Sequence, residues 1–175
     1  DEDISILIKS DFDINGTQKL PVSIKSKIKG KSFGVLAILG RERSANVSIN
    51  NLNMNGGSEA LVEGVRYLGQ LSIHNANVKI TNSIIEGSSS DDGINIRDSK
   101  VFIYDSVFKN NSADQIDLDF CDGEVRKNKF FISKDNTTKI DLNGDALDLS
   151  GSKINISENK FSGFLDKALS IGEES

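Results

Sequence analysis

Carboxylates recur along this chain at fixed distances from apolar pairs. The phrase Asp92-Gly93-Ile94-Asn95-Ile96-Arg97 returns as Asp114-Gln115-Ile116-Asp117-Leu118-Asp119, then as Asp145-Ala146-Leu147-Asp148-Leu149-Ser150. Lys167-Ala168-Leu169-Ser170-Ile171 closes the series. Strand alternation puts Ile94, Ile116, Leu147 and Leu169 inside, with Ile96, Leu118, Leu149 and Ile171 beside them. Asn95, Asp117, Asp148 and Ser170 then face outward in one row, and Arg97, Asp119 and Ser150 in a second. Asp92, Asp114 and Asp145 form a third row at the strand entrance, ended by Lys167. Copies stacked about 4.8 Å apart bring these acids close enough to raise one another's pKa.

Four kinds of chemistry fit such rows. Asp114, Asp117, Asp119 and Asp148 offer the clustered oxygens that Ca²⁺ requires. Asp117, Asp119 and Asp148, with Arg97, are candidates for acid–base work on a sugar, as a carboxylate pair or as a Ca²⁺-assisted lyase. Asn95, Asp117, Asp119 and Asp148 could bind an extended polysaccharide without reaction, with Tyr104 at a strand end to stack on a ring. The structural alternative has the entrance aspartates bonding turn backbone, and the rest forming a solvated face softened by Arg97, Arg126 and Lys127.

The elements that must position these residues are set by a second repeat. Val47-Ser48-Ile49 recurs as Val78-Lys79-Ile80, Val101-Phe102-Ile103, Gly123-Glu124-Val125 and Ile154-Asn155-Ile156, at intervals of 31, 23, 22 and 31 residues. A repeat of this length with apolar–polar–apolar cores predicts a solenoid whose copies bury their faces against each other. A short polar residue follows each core strand (Ser83, Ser106, Asn128, Asn159), where stacked copies can satisfy one another's turn backbone. Ile85, Phe108, Phe130 and Phe161 then return to the core as one column. The prediction is an all-β parallel β-helix with coils of about 22–31 residues, a single domain over 1–175. Regular coils run over 31–175, and 1–30 is either an irregular first coil or a cap. Two polar insertions, Ser133–Lys139 and the stretch between Met54 and Gln70, should emerge as loops on one side. The alternating Lys25, Lys27, Lys29 and Lys31 read as the solvent face of a strand.

These phrases resemble those of right-handed parallel β-helix proteins of the pectate-lyase-like superfamily, in particular repeat domains of bacterial surface and secreted proteins. The similarity covers about residues 47–175. It implies right-handed coils, a secreted, periplasmic or cell-surface location, and a non-catalytic carbohydrate-binding or scaffolding role. The alternative is a polysaccharide lyase or related carbohydrate-active enzyme. The chain departs from the hydrolases of that superfamily, which carry His-Gly and Arg-x-Lys motifs, and from the epimerases, which carry Asp-Pro-His. Its single histidine, His74, precedes Asn75 and ends a strand, as a structural or exposed residue does.

Composition narrows the partners. A formal charge of −5 argues against nucleic acid, whose phosphates need a basic surface. No apolar run is long enough to insert in a membrane as a helix. The one cysteine, Cys121, excludes an internal disulfide and reads as a small buried filler beside Phe120. A polysaccharide remains the partner the rows favour, with Ca²⁺ the only metal they suggest. The solenoid's open ends leave oligomeric state undecided.

Overall fold

The structure, a computed structural model, describes residues 4–28, 30–89, 91–133, 143–172 and 175. Lys29 and most of the insertion after Ser133 lie outside them. The described residues contain strands and no helix. Coil 1 holds β1 (Ile6–Ile8), β2 (Phe12–Asn15) and β3 (Val22–Lys25), and coil 2 holds β4 (Leu36–Leu39), β5 (Ala45–Asn50) and β6 (Leu52–Asn55). A hairpin of β7 (Ala60–Val62) and β8 (Val65–Tyr67) precedes coil 3, which has β9 (Leu71–His74), β10 (Ala76–Thr81) and β11 (Ile84–Glu86). Coil 4 holds β12 (Ile94–Arg97), β13 (Lys100–Tyr104) and β14 (Val107–Lys109), and coil 5 holds β15 (Ile116–Asp119), β16 (Asp122–Arg126) and β17 (Lys129–Phe131). Coil 6 holds β18 (Leu147–Ser150), β19 (Lys153–Ser157) and β20 (Lys160–Ser162), and β21 (Ser170–Ile171) opens a seventh.

First strands of successive coils pair in parallel as sheet A, β1-β4-β9-β12-β15-β18-β21. Second strands form sheet B, β2-β5-β10-β13-β16-β19, and third strands form sheet C, β3-β6-β11-β14-β17-β20. This is a parallel β-strand solenoid. The pairing reproduces the repeat: Val47, Val78, Val101, Gly123 and Ile154 are register partners along sheet B. The N-terminal segment joins the same stack, since Phe12 and Ile14 pair with Val47 and Ile49. It therefore forms a coil rather than a separate cap.

Inward side chains fill a narrow core in which the Ile94, Ile96, Ile116, Leu118 and Leu147 side chains are fully buried. The aromatic column of sheet C forms as the repeat predicts. Phe108 and Phe130 stack at 5.2 Å between centroids, and Phe130 and Phe161 at 4.9 Å.

The polar turn residues build a ladder through the interior. Ser83 Oγ accepts from the Leu52 N–H (3.1 Å), Ser106 Oγ from the Ser83 N–H (3.2 Å), and Asn128 Oδ1 from the Ser106 N–H (3.0 Å). Asn159 continues the series on the Asn128 N–H at 2.9 Å. Each coil thus satisfies a backbone donor of the coil before it. Asn51, Asn82, Asp105, Lys127 and Glu158 hold positive φ at the same corner, a left-handed bend that asparagine accepts more readily than lysine or glutamate.

The insertion between Met54 and Gln70 is the hairpin. Its two-residue loop, Glu63-Gly64, has φ of 49° and 81°, as a type I′ turn requires. Tyr67, wholly buried, packs with Val35 and Ala37 of the solenoid, and Leu7, Ala60 and Val62 close around them. The hairpin therefore lies on the outer face of sheet A, over the first coils.

Candidate functional site

The outward rows of sheet A assemble as the spacing predicts. Ser72, Asn95, Asp117, Asp148 and Ser170 are successive register partners, and so are His74, Arg97, Asp119 and Ser150. Period-2 alternation in β9, β12, β15 and β18 is what aims them away from the core.

A belt of buried amides sets the turn that delivers the chain to this face. Gln70, Asn111 and Gln115 are each fully buried. Gln70 Nε2 donates to Asn111 Oδ1 (3.1 Å), and Asn111 Nδ2 donates to Gln115 Oε1 (2.9 Å). Gln70 Oε1 also accepts from the Gly57 N–H (3.0 Å), tying the root of the hairpin to the same network.

The entrance aspartates are backbone acceptors. Asp114 Oδ1 takes the Asp145 N–H at 2.6 Å, and Asp145 Oδ1 takes the Lys167 N–H at 2.9 Å. Asp92 stands one coil earlier in the same role toward Asp114. Lys167 Nζ ends the row 3.3 Å from Asp145 Oδ2. This row follows the structural alternative, so Asp114 is committed to a turn.

The middle of the face is a short polar chain. Asn95 Nδ2 donates to Asp117 Oδ2 at 2.7 Å, while Asn95 Oδ1 lies 3.4 Å from His74 Nε2. With Nδ2 spent on the carboxylate, the amide oxygen faces the imidazole, which assigns the ring proton to Nε2. The Tyr67 ring of the hairpin lies against His74, 4.9 Å between centroids and tilted by 31°, and its buried hydroxyl has no hydrogen-bond partner among the described residues. Asn95 itself is 3% exposed, so its amide serves the chain's own groups rather than standing open as a contact.

Burial dominates the electrostatics of this face. It pushes the Asp92 carboxyl up to about 10, helped by the charges of Asp117 and Asp91. Burial likewise raises Asp114 to about 7, against the lowering effect of the Asp145 N–H, and raises Asp117 to about 7 with the Asp119 charge assisting. Asp119 is raised by burial and held back by Arg97. His74 is lowered by burial, which keeps its ring neutral at pH 7. Asp117 therefore sits near its midpoint at neutral pH, beside a neutral imidazole that an amide links to it.

Not every candidate belongs to this arrangement. Tyr104 stands on sheet B, where its hydroxyl donates to Glu124 Oε2 at 2.8 Å, so it is not a stacking platform for the sheet A rows. Arg97 lies in the second row but leans over the Phe120 ring, 5.6 Å from its centroid. Among the described residues no group of three or more His, Cys, Asp or Glu side chains is placed to hold a metal ion, so Asp114, Asp117, Asp119 and Asp148 do not form a ligand set here.

His74 is the residue that sequence reasoning set aside and the structure brings in. The signal was available: Leu71-Ser72-Ile73-His74 aligns with Ile94-Asn95-Ile96-Arg97, which puts His74 in the outward row. Tyr67 carried no such signal, because it lies in the insertion.

Cys121 occupies the corner position held by Ser99 and Ser152 in the neighbouring coils. Its thiol faces the Asp119 carbonyl at 3.3 Å, and burial pushes it up to about 12. It is a buried stand-in for serine rather than a nucleophile. No protein-family model, no curated protein and no solved structure matches this chain.

Proposed function

We propose that the chain is a right-handed β-helix domain of the pectate-lyase-like kind, from a secreted or cell-surface protein, that binds polysaccharide along the outer face of sheet A. The observation that carries this reading is the in-register row Asn95, Asp117, Asp148 and Ser170, which presents carboxylate and hydroxyl oxygens at the coil spacing beside a hairpin wall, with the buried Asn95 amide holding Asp117. An extended chain of sugar hydroxyls can meet such a row one coil at a time. Right-handed winding is supported by the strong preference of parallel crossover connections for that hand. Asp117, Asp119 and Asp148 are the direct contacts, and Asn95 and His74 orient Asp117.

A second reading, a Ca²⁺-assisted lyase, is favoured by one observation. The Asp117 carboxyl titrates at about 7, where a proton can be taken or given at little cost. It stands second because the described residues hold no built ligand set for the ion.

Incubation with polygalacturonate, alginate and neutral plant polysaccharides, with and without Ca²⁺, tests both. Retention on a polysaccharide that weakens at least tenfold in Asp117→Ala, with no rise in ultraviolet absorbance, supports a binding module. Absorbance of unsaturated uronate that grows with time and stops with chelator replaces it by the lyase. Neither binding nor product across the panel leaves a scaffold.

A further inference from the structure

Sheet B carries a second outward face of different chemistry. Its two outer rows are Asp13, Ser48, Lys79, Phe102 and Glu124, and Asn15, Asn50, Thr81, Tyr104 and Arg126, each in strand register. On coils 1 to 3 the face is hollowed into a concavity lined by Asp13, Asn15, Ser48, Asn50, Lys79 and Thr81. Part of the lining is fixed, since Thr81 Oγ1 and Asn82 Nδ2 both donate to Asn50 Oδ1 at 3.0 Å. The side chains of Asp13, Asn15, Ser48 and Lys79 engage no hydrogen bond or ion pair among the described residues. They are a donor and acceptor set without an internal use.

Two aromatic rings wall the next coil. Phe102 follows Lys79 in its row and Tyr104 follows Thr81 in the other, with centroids 6.3 Å apart. Tyr104 is held in place twice, by its bond to Glu124 and by the Arg126 guanidinium 5.2 Å from the ring centroid. Arg126 belongs to the following coil, so it covers the ring from that side and leaves the side toward small Thr81. Thr81 lines the concavity and is the register partner of Tyr104, so the hollow and the ring stand on adjacent coils.

We infer that this face binds a neutral oligosaccharide, with a pyranose ring on Tyr104 and hydroxyls on Asp13, Asn15, Ser48 and Lys79. An aromatic face beside converging carboxylate, amide, hydroxyl and ammonium groups matches the alternation of apolar C–H faces and hydroxyl edges in a sugar. Charge selects the neutral class. Asp13 and Lys79 oppose one another, as do Glu124 and Arg126, so no field of one sign draws a polyanion. The site is independent of the sheet A row and needs neither Asp117 nor Ca²⁺.

Calorimetric titration of the full chain with cellohexaose, xylohexaose and maltohexaose decides it. Binding of at least one is expected, weakened tenfold or more in Tyr104→Ala, several-fold in Lys79→Ala, and less than twofold in Asp117→Asn. Lys79 is exposed, so its variant keeps the test valid if Tyr104→Ala lowers stability. Failure of all three sugars to bind overturns the inference, as does binding that survives both sheet B substitutions. Loss in Asp117→Asn alone overturns it too, while leaving the sheet A reading intact.

Discussion

One outward row of sheet A passes through two different environments. At its N-terminal end it reads Leu7, Ala37 and Ser72, with Leu7 and Ala37 packed beneath the β7–β8 hairpin and Ala37 and Ser72 fully buried. From coil 4 onward it reads Asn95, Asp117, Asp148 and Ser170 and is free of the hairpin. The backbone is the same in both halves, so the difference is one of cover. Where an insertion folds back, the outer face becomes a second small core. Beyond the hairpin, the row holds carboxylates at the edge of burial. The neighbouring corner changes in the same direction, from Ala45 and Ala76 to Ser99, Cys121 and Ser152. The boundary between the halves is where Tyr67 meets His74.

The comparison breaks most severely if the cover is removed. Tyr67→Ala deletes the fully buried anchor of the hairpin and should cost about 3–5 kcal/mol in chemical denaturation. It should also expose coils 1 to 3 to hydrogen exchange while sparing coils 5 and 6. A loss below about 1 kcal/mol means the hairpin is not held by its aromatic anchor.

Next in size is a pH effect confined to the acidic half. The folded state raises Asp114 and Asp117 to about 7 and Asp92 to about 10 from a reference of 3.8, so it binds protons that the unfolded chain releases. Their contribution is favourable below about pH 4 and is lost as pH rises through 4 to 7, and for Asp92 on toward 10. Asp117→Asn removes one such group and keeps the carbonyl oxygen that accepts from Asn95. The variant should gain about 1–3 kcal/mol relative to wild type at pH 8 and little at pH 4, after discounting for partial exposure. Equal pH profiles for the two proteins remove the assignment. Asp11 and Glu63, lowered by their partners Arg43 and Lys9, act in the opposite sense, so the difference between the two profiles is the informative quantity.

A smaller effect sharpens the corner. Cys121→Ser restores the residue of the flanking coils and should change stability by less than about 1.5 kcal/mol, with the hydroxyl taking over the contact to the Asp119 carbonyl. The wild-type thiol should resist disulfide reagents at pH 8 until the protein unfolds. Fast labelling of the native protein contradicts its burial.

The smallest effect separates the Tyr67 ring from its hydroxyl. Because the hydroxyl is buried without a partner among the described residues, Tyr67→Phe should alter stability by less than about 1 kcal/mol in either direction. If polysaccharide binding then falls, the hydroxyl supports the His74 end of the row rather than standing idle.

The strand phase, the inward columns and the register of the acidic rows were legible in the sequence, because each depends on period-2 alternation and on a repeat that copies it coil by coil. Ser83, Ser106 and Asn128 could be read as a ladder for the same reason: equivalent positions in stacked coils must face one another. Phe12-Asp13-Ile14 belongs to that repeat, but the 35-residue step to Val47 blurs its phase in the sequence. What only the tertiary structure decided is where the irregular insertion goes. The hairpin's landing on sheet A buries Tyr67 against His74 and turns half of the outward row into core. Strand phase likewise could not tell that Tyr104 and Asp117 look out from different sheets, since both are outward residues and only the corner between β12 and β13 sets their directions apart. The sequence determines which residues leave the core; the folding of the corners and of the insertion determines which of them meet.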